Sequence, residues 1–229
     1  MKTEININGP TVVVGDIHGA LDWDFSKNLP SNCNIILLGD VGIGFRHNTL
    51  YTLTHGLKGF NVFLVRGNHD DPSYWEDAPY TVGRNITFLS DGYITINGDL
   101  YLVKGGGISV DKNMSHRIAY ETWWPEEIVD FKLHTRCKKV KGLLTHSGLT
   151  PTILVGKKIS QPDFDGKIQE YIDKENALWE TIIKRYKPEV WYHGHFHLHE
   201  AREYKGVKIY ALDCYETMLI PDGEREGNT

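Results

Sequence analysis

Apolar residues cluster along this chain in short β-branched runs, and each early run ends in the same manner. Thr11-Val12-Val13-Val14 leads into Gly15-Asp16, Ile35-Ile36-Leu37-Leu38 into Gly39-Asp40, and Val62-Phe63-Leu64-Val65 into Arg66-Gly67-Asn68-His69-Asp70. Apolar runs of this length, bounded by polar turns, predict strands buried on both faces. Residues 20–29 and 47–58 carry helical spacing with no strong breaker. The first third of the chain therefore predicts a β-α-β-α-β order with parallel strands and right-handed crossovers.

The middle changes character. Asn85–Leu89, Tyr93–Ile96 and Leu100–Val103 are short strand-like runs separated by Asp91-Gly92 and Asn97-Gly98-Asp99, turns that suit antiparallel hairpins. Gly105-Gly106-Gly107 opens a loop from Ile108 to Trp124, and Pro125-Glu126-Glu127 predicts the first turn of a helix running to about Cys137. Leu143-Leu144-Thr145-His146 repeats the strand-then-polar pattern. Residues 164–187 carry Phe164, Ile168, Tyr171, Ile172, Leu178, Ile182 and Ile183 at helical spacing, with Pro188 as the stop. Glu189–Tyr192 predicts a strand entering His193-Gly194-His195-Phe196-His197, and Ala201–Leu212 a hairpin turning at Lys205-Gly206. With no internal repeat or linker, residues 1–221 read as a single domain and 222–229 as a polar tail.

Composition narrows the function. The 229 residues carry 25 Lys+Arg against 30 Asp+Glu, a formal charge of −5 with no basic run, so strong nonspecific nucleic-acid binding is not expected. No stretch reaches the length of a membrane span, and the start lacks an apolar signal region, so no membrane association is expected. Cys33, Cys137 and Cys214 lie far apart with no Cys-x-x-Cys pair, which argues against a disulfide framework and predicts a reducing, cytoplasmic location.

The chemistry lies where the buried runs end. Gly15-Asp16-Ile17-His18-Gly19, Gly39-Asp40, Gly67-Asn68-His69-Asp70, His146-Ser147-Gly148 and Gly194-His195-Phe196-His197 each set Gly beside Asp, Asn or His. Parallel strands align their carboxyl ends on one edge, so these segments are expected to converge. Taken singly, Asp16 or Asp40 would read as a helix cap and His146 as a hydrogen-bonded loop residue. Repetition of one placement favours ligands instead. Asp16 and His18 are two apart, as are His195 and His197, so in extended backbone each pair points to one side. Imidazole and carboxylate donors without thiolates suit Mn, Fe, Ni or Zn.

In order and spacing these five blocks, from residue 15 to 197, resemble the signature of the calcineurin-like metallophosphoesterases: Asp-x-His, Gly-Asp, Gly-Asn-His-Asp/Glu, a lone His, and Gly-His-x-His. The resemblance implies an α/β fold, a four-layer αββα sandwich of two mixed β-sheets flanked by helices, with a dinuclear site at the carboxyl ends of the strands. It implies Asp16, His18 and His197 on one divalent ion, Asn68, His146 and His195 on the other, and Asp40 between them, with Mn as the first candidate and Fe, Ni or Zn as alternatives. Such a pair lowers the pKa of a shared water, and the resulting hydroxide attacks phosphorus. His69 would lie over the substrate as general acid, with Asp70 keeping its imidazolium populated and oriented.

Substrate residues are less defined. Arg66 stands where the protein-phosphatase branch carries a phosphate-binding arginine, but that branch's companion arginine after Gly-Asp is replaced by Val41-Gly42-Ile43-Gly44, which leaves room in place of charge. Arg46 is an alternative from a shifted position, but the less favoured one. The 105–127 segment looks like the insert of small bacterial and phage members of the family, and it is expected to form a substrate wall, with His116 or Arg117 gripping phosphate and Trp123 or Trp124 stacking on an organic group. His193 and His199 are not asked for as ligands, and His47, His55 and His134 read as surface residues. The expected activity is phosphate-ester hydrolysis on a nucleotide or a phosphoprotein, monoester ahead of diester. A phosphodiesterase acting on nucleotides or cyclic nucleotides is the alternative, and a non-catalytic metal-binding scaffold the different class.

Overall fold

The computed structural model describes residues 4–19, 27, 29–111, 114–115, 117–121, 123–133, 138–155 and 167–221. The strands are β1 (Ile5–Ile7), β2 (Thr11–Val14), β3 (Asn34–Leu37), β4 (Asn61–Leu64), β5 (Tyr80–Val82), β6 (Ile86–Phe88), β7 (Gly92–Ile96), β8 (Asp99–Lys104), β9 (Gly142–Thr145), β10 (Val190–His193), β11 (Glu200–Tyr204), β12 (Val207–Ala211) and β13 (Thr217–Ile220). Among the described residues the α-helices with defined bounds are α1 (Thr49–Gly56) and α2 (Ile168–Tyr186). The helix expected over 20–29, His116, His134, Cys137 and the tail 222–229 lie wholly or largely outside the described residues.

One six-stranded sheet has the order β13-β2-β3-β4-β6-β5, and a seven-stranded sheet has the order β1-β7-β8-β9-β10-β12-β11. β2, β3, β4 and β6 run parallel, as do β8, β9, β10 and β12, which brings each set of carboxyl ends to one edge. The mixed character comes from antiparallel neighbours: β13 and β5 on the first sheet, the β7–β8 hairpin and β11 on the second.

The period of two along each strand sets the layers. Val12, Val14, Ile35, Leu37, Val62 and Leu64 pack on one side with Leu53 and Leu57 of the α1 region. Their neighbours Val13, Ile36, Leu38 and Val65 point the other way and meet Val103, Leu144 and Tyr192 of the second sheet. On that sheet's outer face Leu102, Leu143 and Trp191 pack against Leu178, Trp179, Ile182 and Ile183 of α2. The result is the α/β sandwich of two mixed sheets that the resemblance implied.

Two local expectations need correction. Asp91-Gly92 is not a hairpin: β6 pairs parallel to β4 in one sheet while β7 belongs to the other. The chain crosses between sheets there, and Asp91 anchors the crossing by accepting from the Gly105 N–H (2.9 Å) and Lys104 Nζ (3.2 Å). The helix from Pro125 is a single 3-10 turn, Pro125–Glu127, after which Ile128 is extended at φ −60°, ψ 159°. Glu127 is turned inward and the 126–128 carbonyls accept from Arg66, so their groups do not serve a helical ladder.

Candidate metal centre

The first sheet delivers Asp16, His18, Asp40 and Asn68 from the loops after β2, β3 and β4; the second delivers His146 after β9, and His195 and His197 after β10. His18, Asp40, His195 and His197 all sit at positive φ, between 46° and 73°, so the backbone curls to turn their side chains inward. Two glycines allow the close approach. A Cβ on Gly67 would lie 2.0 Å from the Asp40 amide nitrogen, and one on Gly194 would lie 2.1 Å from Asp16 Oδ1.

One group of donors comprises Asp16, His18, Asp40 and His197, whose ligating atoms all lie within 4.8 Å of one another. Asp16 Oδ1 accepts from the His195 N–H at 2.9 Å. Its Oδ2 is buried without a hydrogen-bond partner, although His197 Nε2 stands 3.0 Å away. His18 Nε2 and His197 Nε2 face each other at 2.9 Å.

A second group surrounds Asn68. His146 Nδ1 donates to the Leu38 carbonyl at 2.8 Å, which turns the Nε2 lone pair inward. That lone pair faces Asn68 Oδ1 at 2.7 Å and Asp40 Oδ1 at 3.2 Å. Asn68 Nδ2 donates to Ser109 Oγ, so the inward atom of the amide is its oxygen, and His195 Nδ1 lies 2.9 Å from it. His146 Nε2, Asn68 Oδ1 and Asp40 Oδ1 are acceptors turned on one another, an arrangement that a cation among them relieves.

The charge balance argues the same way. Asp16, Asp40 and Asp70 are each buried to 1% exposure or less. Burial, reinforced by the Asp16 and Asp70 charges, pushes the Asp40 carboxyl well above its ordinary range. Burial would raise Asp16 as well, but the His146 and His197 rings and the His195 N–H hold it below the carboxylate range. Burial also lowers the His146 imidazole to about 4, so that ring is neutral. Buried carboxylates, the neutral His146 imidazole and the Asp16 Oδ2 left without a hydrogen bond form a donor set that fits divalent cations.

Asp70 is corrected in role. Its carboxylate accepts four backbone N–H groups, from Val41 (3.2 Å), Gly42 (2.7 Å), Ile43 (3.1 Å) and Gly67 (2.8 Å), so it ties two loops together and does not hold the His69 ring. Arg117 does that instead, with Nη1 2.5 Å from His69 Nδ1. Arg117 also donates from Nη2 to Ser109 Oγ and Glu127 Oε2, both at 3.0 Å, and Trp123 Nε1 donates to Glu127 Oε1 at 3.0 Å. The insert therefore supports His69 from behind. Burial, followed by the Arg117 charge, drives the His69 pKa far down, so the ring is neutral and no imidazolium is populated.

Arg66 is also placed differently. Its Nη1 donates to the carbonyls of Glu126 (3.0 Å) and Glu127 (3.1 Å) and its Nη2 to Ile128 (3.2 Å), which commits the guanidinium to the 126–128 backbone. Gly42 and Gly44 do not leave room: a Cβ would lie 2.6 Å from the Gly19 nitrogen at the first and 2.3 Å from Asp71 Cβ at the second. Trp124 is buried, not presented for stacking. Arg46 is exposed beside Gly19, and its charge bears on His18. His193 is buried with its ring against Trp191 and Phe196, while His47 and His55 are exposed. The sequence reading passed over Ser109 and Cys214; neither belongs to any of the repeated blocks.

A model of the calcineurin-like phosphoesterases matches residues 9–199. Among solved structures, the phosphopantetheinyl hydrolase of Mycobacterium tuberculosis is similar over 91% of this chain and 90% of its own, at 16% identity and a TM-score of 0.47. A cold-active protein-tyrosine phosphatase of a psychrophilic Shewanella species is similar over 96% of this chain and 78% of its own, at 14% identity and a TM-score of 0.41. No curated protein matches the chain.

Proposed function

The chain belongs to the calcineurin-like phosphoesterase family, a phosphoric ester hydrolase, and we propose that it hydrolyses phosphate monoesters at a dinuclear metal centre. The observation that carries this reading is the convergence of acceptor atoms from both sheets: Asp16, His18 and His197 around one position, Asn68, His146 and His195 around another, and Asp40 reaching both. What a pair of divalent cations supplies there is Lewis acidity: it polarises phosphoryl oxygens and makes water acidic enough to attack phosphorus at neutral pH. Nitrogen and oxygen donors support manganese first, with iron, nickel and zinc also served.

The remaining steps fall to the chain's own groups. His18 and His197 are 26% and 47% exposed at their side chains, so the centre is open to substrate on that edge. Arg46, exposed on the same edge, supplies the counter-charge that a dianionic monoester requires. His69 lies over the centre with Nε2 4.0 Å from Asp40 Oδ2. With Arg117 donating to Nδ1, the ring's single proton is on Nε2, placed to hydrogen-bond the oxygen that departs from phosphorus and to stabilise its developing charge, while the proton that oxygen finally takes comes from water. No helix among the described residues is long and apolar enough to cross a membrane, and the free thiols of Cys33 and Cys214 support a reducing, cytoplasmic setting.

The test strips the protein of metal, reloads it with Mn, Fe, Ni or Zn in turn, and measures kinetics on p-nitrophenyl phosphate and bis-p-nitrophenyl phosphate beside Asp40→Asn. Metal-dependent turnover that prefers the monoester and is lost in Asp40→Asn is the expected result. Preference for the diester would move the assignment to a phosphodiesterase, and two bound ions without turnover on either ester would point to a binding scaffold.

A further inference from the structure

A thiol stands at the rim of the centre. The ligating atoms of Cys214, His18 and His197 lie within 4.8 Å of one another, and the unpartnered Asp16 Oδ2 is 3.0 Å from His197 Nε2 and 3.8 Å from His18 Nε2. Two donors sharing one ion sit at most about 4.4 Å apart, given metal–nitrogen and metal–sulfur bonds of about 2.1 and 2.3 Å. The sulfur is thus within a small side-chain movement of ligand distance to an ion shared with the two imidazoles.

The loop that carries Cys214 is fixed against the loop that carries Asp16. The Tyr215 N–H donates to the Asp16 carbonyl at 3.0 Å, the Tyr215 hydroxyl to the Ile17 carbonyl at 3.1 Å, and the Gly15 N–H to the Glu216 carbonyl at 3.0 Å. Asp213 presses so closely on this turn that a Cβ on Gly15 would lie 2.2 Å from its carbonyl oxygen. Its side chain accepts from the Cys214 N–H at 2.7 Å, which settles the backbone of the cysteine itself. The thiol is only part-buried, on the edge where His197 is exposed, so it meets the metal position from the solvent side.

We propose that Cys214 is a sulfur ligand to the ion held by Asp16, His18 and His197, and that it biases this position towards thiophilic divalent ions such as zinc, cobalt or iron over manganese. The inference rests on the metal centre proposed above. A thiolate beside two imidazoles and a carboxylate is a softer set than the nitrogen and oxygen donors alone.

The experiment uses the full chain loaded with cobalt(II), whose thiolate complexes show a sulfur-to-metal charge-transfer band in the near ultraviolet. The band is expected in the wild type and lost in Cys214→Ser, with cobalt content unchanged. Independently of any variant, alkylation of Cys214 by iodoacetamide, followed on its peptide by mass spectrometry, should proceed in metal-free protein and be suppressed when cobalt or zinc is bound. A missing band, a band that persists in Cys214→Ser, or labelling indifferent to metal overturns the role of Cys214. Cobalt content measured in the same samples keeps the two readings apart, because bound cobalt without a sulfur band overturns the ligand alone, whereas no bound cobalt overturns the centre itself.

Discussion

At the scale of single residues, His69 and Arg117 behave as one unit. A neutral imidazole offers one proton, and its position is decided by whatever bonds the other nitrogen; here Arg117 occupies Nδ1. Truncating His69 to Asn should leave metal content intact and lower kcat by about 10²-fold on alkyl phosphates, with a smaller loss on p-nitrophenyl phosphate, whose leaving group develops a charge that needs little stabilisation. Arg117→Ala should lower kcat on alkyl phosphates in the same sense with little change in KM. In the His69→Asn background it should add almost nothing, since residues that act through one another are not additive. Full additivity in that double-mutant cycle would show that Arg117 works separately from His69. Arg46 belongs to binding: Arg46→Ala should raise KM for a monoester with kcat nearly unchanged, and an unaltered KM in steady-state kinetics would remove it from the site. The sequence named His69 and Arg117 but not their contact, because nothing in a linear chain marks residues 48 apart as hydrogen-bond partners. It also read Asp70 as the ring's partner from adjacency alone, although the backbone turns that carboxylate onto the N–H groups of 41–43 and 67.

At the scale of elements, the helix α2 carries a buried carboxyl on its apolar stripe. Ile168, Leu178, Trp179, Ile182, Ile183 and Tyr186 are buried with Glu175 among them. Glu175 Oε1 accepts from Trp179 Nε1 at 3.3 Å, its Oε2 has no partner, and burial raises its pKa from 4.5 to about 7. The folded state therefore holds this proton more tightly than the unfolded chain does. The effect is absent below the unfolded value of 4.5, and stability declines as pH rises from there through about 7, with a full cost of roughly 3 kcal/mol above it. Glu175→Gln should flatten that part of the pH dependence and stabilise the protein at pH 8, as read by urea unfolding across the pH range; an unchanged slope would mean that Glu175 is ionised in the fold. Helix, strands and ligand loops were legible because their signals are local: period 3.6 in 168–186, β-branched runs, glycine beside each ligand. The edge strands β1, β5 and β13 were not, since their positions are mostly exposed or half-buried in place of a continuous buried run, and the crossing at Asp91 was not, since Asp-Gly reads alike in a hairpin and in a passage between sheets.

At the scale of the molecule, the centre is a joint between the two sheets, because one supplies Asp16, His18, Asp40 and Asn68 and the other His146, His195 and His197. Without cations the joint works against folding: Asp40 is buried against the Asp16 and Asp70 charges, and its carboxyl is pushed far up. Divalent ions that bind only the folded state add about 2.7 kcal/mol at a hundredfold excess over Kd. For a domain of this size that corresponds to a rise of about 5–10 °C in Tm. Chelation should therefore lower Tm by that amount, reversibly, and the drop should grow as pH rises because an ionised Asp40 is what the folded apo-protein resists. Asp40→Asn separates the two contributions. The amide keeps an oxygen to accept the His69 N–H, which Asp40 Oδ1 takes at 2.8 Å, while it removes the repelled charge. At pH 8 the order of Tm by calorimetry should be metal-loaded wild type, then metal-free Asp40→Asn, then metal-free wild type, with added metal raising the variant little. A metal-free variant less stable than the metal-free wild type would mean that Asp40 is tolerated as a charge without cations, and the account of the centre as a repulsive joint closed by metal would fail.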